Sequence, residues 1–181
     1  GKYSEAVQIF EELLKRFRGT LPDDEKIIIN SELGLLYYWL GDYASAKRGC
    51  EAALQSGDND QVYSVLGKIA VAEFEFPRAR GYFSKISNDN PARALGLCLV
   101  SIKLRDNTGA EFFLHEANGK INPLDPELRV YHSYIVLLKG DAKAAVMQAR
   151  ELIKRVAKDS RQKGASEARI VLVRAGEPVE K

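Results

Sequence analysis

The 181-residue chain carries 27 Lys and Arg against 25 Asp and Glu, a net charge of +2, with 45% hydrophobic and 29% charged residues. This is the composition of a folded globular chain, not of a disordered or fibrous one. No run approaches the 18 or so apolar residues of a membrane span, and so even a charge balance gives no signal for a nucleic-acid partner.

In chain order, the first predicted helix covers 1–15, with Tyr3, Ala6, Phe10 and Leu13 on one face. Residues 16–26, RFRGTLPDDEK, read as an insertion, because Gly, Pro and paired acids extend a helix only at a cost. Residues 27–59 read as a helix pair. Its first helix holds Leu33, Gly34 and Tyr37; Gly41-Asp42 makes the turn; its second holds Ala46, Cys50 and Ala53. Gly34 has no Cβ and lets two helices approach, and a side chain larger than Ala46 would overpack the crossing. A second pair spans 60–90, with Leu66-Gly67, Ala70, Ala79, Phe83 and Ile86; Asp58-Asn59-Asp60 caps its start and Pro77 suits the first turn of its second helix. Phe74 stands where the turn glycine belongs, which leaves that turn open. A third pair, 91–123, has Leu97, Cys98, Ala110, Leu114 and Ala117, with a turn expected at Asp106-Asn107-Thr108-Gly109. A fourth, 124–158, has Gly140-Asp141, Ala145, Ala149 and Leu152, and a last helix is expected over about 163–175.

The crossing alanines Ala6, Ala46, Ala79, Ala110 and Ala145 recur after 40, 33, 31 and 35 residues, the first gap being stretched by the insertion. With Leu33-Gly34, Tyr37, Gly41-Asp42-Tyr43, Ala46 and Ala53 in phase, the chain resembles the tetratricopeptide repeat family, whose period is about 34. The resemblance is strong over 1–91 and weak after. It implies an all-α right-handed solenoid of antiparallel helix-turn-helix repeats, about ten helices, running as a single array over 1–181. The array opens on a second helix lacking its first and closes on a first helix lacking its second. Such uncapped ends point to a segment of a longer protein, or to an oligomer paired through its ends.

The resemblance also implies a non-enzymatic scaffold for protein–protein interaction within a larger assembly, its first helices lining a concave groove. Ser31, Leu35 and Tyr38 would face that groove, followed at the same offset by Ser64, Lys68 and Val71, by Leu95, Leu99 and Ile102, by Val130, Tyr134 and Leu137, and by Ser166, Ile170 and Val173. The expected contact set is Ser31, Leu35, Tyr38, Lys68, Leu99, Ile102 and Tyr134. Of the positions matching the carboxylate clamp of the chaperone-binding subfamily, only Lys68 fits. A mostly apolar groove suits an apolar or amphipathic partner segment. Trp39 is expected half-buried between helices, and His132 on a packing face. Two further readings stand beside this one: a regulatory domain whose catalytic partner lies outside the segment, and nucleic-acid binding through a basic patch. Residues 150–174 hold eight bases against three acids, among them Lys154, Arg155, Lys158, Arg161 and Lys163; most such patches are solvated helix faces.

Motifs for chemistry or a cofactor are absent from the sequence. His115-Glu116 begins like a zinc-protease motif, but Gly119 stands where the second histidine belongs. There is no Cys-x-x-Cys pair and no phosphate-binding glycine loop. Cys50 and Cys98, 48 residues apart, read as buried reduced thiols, which leans toward a reducing, cytoplasmic compartment.

Overall fold

A computed structural model describes residues 2–17, 19–158 and 171–175, without the side chains of 155–158. The described residues form nine helices and no strand: α1 (Lys2–Arg16), α2 (Asp23–Trp39), α3 (Tyr43–Ser56), α4 (Asp60–Ala72), α5 (Phe76–Lys85), α6 (Pro91–Leu104), α7 (Asn107–Asn118), α8 (Pro126–Leu138) and α9 (Ala142–Lys158), with residues 171–174 helical as well. No described helix is long and apolar enough to cross a membrane.

The turns inside the helix pairs show why the chain repeats. Gly41, Phe74, Arg105 and Gly140 each have a left-handed backbone, with φ of 79°, 63°, 59° and 90°. After each, the next amide closes the same bond back onto the preceding helix: Asp42 to Tyr37, Glu75 to Ala70, Asp106 to Ser101 and Asp141 to Val136, at 2.8–3.2 Å. This left-handed cap is one that glycine adopts freely and other residues adopt at a cost. Five residues after each left-handed position lies a crossing alanine, and Ala46, Ala79, Ala110 and Ala145 are all fully buried. The turn at Phe74 is therefore made without glycine, its ring left 79% exposed.

The third turn is placed differently from expectation. Arg105 makes it, and Asp106 is the cap of α7, accepting from the Gly109 amide at 2.9 Å. Residues 107–109 are the first turn of α7. The insertion is also shorter than expected. Pro22 precedes α2, and Asp23, Asp24 and Glu25 form its first turn, where the helix dipole favours acids. Asn59 caps α4, accepting from Val62 at 3.2 Å.

Contacts divide the chain into two compact units, Gly1–Asn88 and Asp89–Lys181. In the first unit α2 packs on α3 and α4 on α5; α3 meets α4, α2 meets α4, and α1 packs on α2. Gly34 and Gly49 bring the α2 and α3 backbones together. A Cβ on Gly49 would lie 3.0 Å from the Gly34 nitrogen, and one on Gly34 would lie 2.7 Å from Cys50 Sγ. Gly67 does the same for α4 and α5, with the buried Phe83 ring over it. Tyr37 reaches α1, donating to Glu11 Oε1 at 2.5 Å; that bond and burial raise its pKa to about 12. Trp39, expected between helices, is 52% exposed and rests on Tyr3, ring centres 5.2 Å apart. It occupies the last residue of α2, beyond the stretch that α3 covers.

The second unit repeats the plan: α6 on α7, α8 on α9, α7 against α8, α6 against α8. Its core gathers Cys98, Ile102, Ala110, Val130, Tyr131, Tyr134, Ile135, Ala145, Ala149 and Leu152 with Val171 and Leu172. The molecule is thus all-helical, with helices packed consecutively in pairs, as in helical-repeat proteins. Cys50 and Cys98 are free and fully buried, and burial pushes both thiols up to about 12.

Candidate functional site

The residues expected in a first-helix groove fall into two groups. Ser31, Ile102 and Tyr134 are inside the packing, each less than a tenth exposed. The Ser31 hydroxyl is spent on its own helix, donating to the Ile28 carbonyl at 2.9 Å. Ile102 and Tyr134 belong to the second unit's core, and Arg174 lies 5.6 Å over the Tyr134 ring. Sequence periodicity could not separate a groove face from a core face here, because the first helices touch one another as well as their own partners. Leu35, Tyr38, Lys68 and Leu99 are half-buried. In the first unit, Leu35 and Tyr38 lie against the α3–α4 core, with Tyr38 stacked on Tyr43 at 5.9 Å. In the second, Leu99 lies against that unit's core.

Of the basic patch, Lys154 is exposed on α9, in line with exposed Lys143, Met147 and Arg150. The Arg155 and Lys158 side chains, and Arg161 and Lys163 altogether, lie outside the described residues, as do Ser166 and Ile170.

A cleft lies elsewhere, in the second unit, where α7 and α9 flank α8. It holds about 650 Å³. α7 supplies Glu111, Leu114, His115 and Asn118, which the i, i+3, i+4, i+7 spacing places on one face. α8 supplies Leu128, Arg129, His132, Ser133, Val136 and Lys139, and α9 supplies Gln148. The α7–α8 connection adds Pro123 and Leu124, the latter 62% exposed. Asp125, which accepts from the Glu127 and Leu128 amides, caps α8 and fixes where that connection ends.

The apolar part of the lining includes Leu114, Leu124, Leu128 and Val136. The polar groups are fixed by one another. Gln148 Oε1 lies 3.1 Å from His132 Nδ1 and 3.3 Å from Ser133 Oγ, and Ser133 Oγ also lies 3.0 Å from the Arg129 carbonyl oxygen. Lys139 pairs with Glu111 across the cleft, and Arg129 Nη2 lies 3.8 Å from Glu151 Oε2. His132 is therefore exposed at a cleft rather than packed in a core. It sits one position before the residue that faces α9, and that offset of about 100° turns it outward. No group of three or more His, Cys, Asp or Glu is placed to hold a metal ion among the described residues.

The sequence pointed at this cleft only indirectly. The chain's two histidines both line it, yet each drew attention for another reason. No protein-family model and no curated protein matches the chain.

Proposed function

We propose that this protein is a non-catalytic scaffold of tetratricopeptide-like repeats, coiled as a right-handed solenoid, that binds a polypeptide partner as part of a larger assembly. The observation that carries this reading is the cleft among α7, α8 and α9. Its lining mixes apolar with polar and charged side chains, and its size falls within the range of built binding sites. Such a lining suits a segment offering apolar side chains inward and polar groups at the edge. The four equivalent turns, each followed after five residues by a fully buried alanine, support the repeat assignment.

The test is selection from a random peptide display library on the purified protein, with recovered clones re-measured on Leu124→Ala and Val136→Ala variants. Binders that lose about tenfold in affinity on these variants are the expected outcome. A library that yields no binder, or binders indifferent to both variants, refutes the reading.

A further inference from the structure

We infer that the α7–α8–α9 cleft takes an acidic segment of a partner protein, its apolar side chains against Leu124, Leu128 and Val136 and its carboxylates toward Arg129, Lys139 and His132. The inference rests on the scaffold reading above and names the chemistry of its partner.

Three observations carry it. First, the charges that line the cleft are two cations, Arg129 and Lys139, with two imidazoles, against one carboxylate, Glu111. Second, the hydrogen bonds inside the cleft use up acceptors. Gln148 Oε1 lies 3.1 Å from His132 Nδ1, Ser133 Oγ donates to the Arg129 carbonyl at 3.0 Å, and Glu111 is taken by Lys139. Arg129 meets Glu151 only at 3.8 Å, beyond hydrogen-bond length, so its guanidinium keeps donors for a closer carboxylate. Third, the described side chains of the second unit, in 89–154 and 171–175, are ten basic against eight acidic, a small excess that favours an anion.

A basic segment would set like charges against Arg129 and Lys139, and a neutral apolar one would bring no carboxylate to the remaining guanidinium donors of Arg129, which disfavours both. The apolar wall argues against a nucleic acid. Leu124 stands 62% exposed, and among the described residues no Phe, Tyr or Trp lines the cleft to stack a base.

The experiment is fluorescence anisotropy with three labelled peptides of about a dozen residues: leucine alternating with glutamate and aspartate, leucine with glutamine, and leucine with lysine. The acidic peptide is expected to bind about tenfold more tightly than the glutamine peptide at low salt, the gap closing as salt rises. Arg129→Gln with Lys139→Gln should abolish the difference. Because such variants can also misfold, the decisive one is Glu111→Gln. It removes the only carboxylate of the lining and should tighten the acidic peptide about threefold while leaving the glutamine peptide unchanged; a damaged fold cannot produce that gain. Equal binding of the acidic and glutamine peptides overturns this inference but leaves the scaffold reading standing. Tighter binding of the lysine peptide overturns it likewise, and so does a polyuridine oligonucleotide that displaces the acidic peptide at equal concentration. If none of the three peptides binds, the scaffold reading fails at this cleft and the inference fails with it.

Discussion

Adding a single methyl group to each of four glycines tests the packing of the first unit. In a helix, Gly→Ala gains about 1 kcal/mol of propensity where there is room. Gly81 has room, because its added Cβ would meet nothing within 4 Å. Gly34 has none: its Cβ would lie 2.7 Å from Cys50 Sγ, which is itself fully buried. Gly67 would drive a Cβ to 2.6 Å from the Phe83 ring, also fully buried. Gly49 would press on backbone, 3.0 Å from the Gly34 nitrogen and 3.2 Å from the Asn30 oxygen. Overpacking of this kind costs about 1–3 kcal/mol. Gly81→Ala should therefore gain about 0.5–1 kcal/mol, and the other three should fall below it by about 1–3 kcal/mol. All four sites lie in one unit, so thermal unfolding followed by circular dichroism compares them directly, at about 2–4 °C per kcal/mol. Cys50→Ala removes the sulfur that Gly34→Ala strikes, so the Gly34→Ala penalty should shrink in that background. If Gly34→Ala and Gly67→Ala stabilise as much as Gly81→Ala, the close approach of the helices is wrong.

Ala46→Leu, at the fully buried α2–α3 crossing, should cost about 1–3 kcal/mol, read by the same melting experiment; a neutral result would move the register. Phe74→Gly should gain about 0.5–1 kcal/mol by relieving a left-handed backbone (φ 63°) at a ring that is 79% exposed, and a loss would mean that the ring packs. Cys50 and Cys98 should be inert to a thiol reagent in the native state and react on unfolding. Because burial raises their folded pKa to about 12 from the ordinary thiol value of 9.0, the unfolded chain releases protons first. Each then costs up to about 1.4 kcal/mol of stability per pH unit as pH rises from 9 toward 12, and nothing below 9; stability flat across that window would refute their burial. Asp106→Ala, which strips the α7 cap from the Gly109 amide, should cost about 1 kcal/mol in urea unfolding.

Small residues made the fold legible. Ala46, Ala79, Ala110 and Ala145 could be found by eye because a helix crossing tolerates little else, and all are fully buried. The turns were legible where glycine marks them, at Gly41 and Gly140. They were missed at Arg105, because a left-handed conformation can be imposed on any residue by the bond that closes behind it. The insertion was overdrawn because Asp23, Asp24 and Glu25 discourage a helix interior but favour a helix start. The site was hardest to read. A cleft between helices from different pairs depends on how far α7 and α9 stand apart over α8, and no periodicity within one helix encodes that distance. Tyr134 carries the same offset as Leu99, and Ile102 lies on the same expected face, yet both are core where Leu99 is half-buried.

Within each unit, the most widely separated elements that touch are two apart along the chain, α2 with α4 and α6 with α8. Structure so local can form without long loops being closed first, which favours rapid acquisition of the native state. It also gives the chain a graded response to force: pulled along its length, each unit should shed one helix pair at a time, paying out extension in small steps instead of a single rupture.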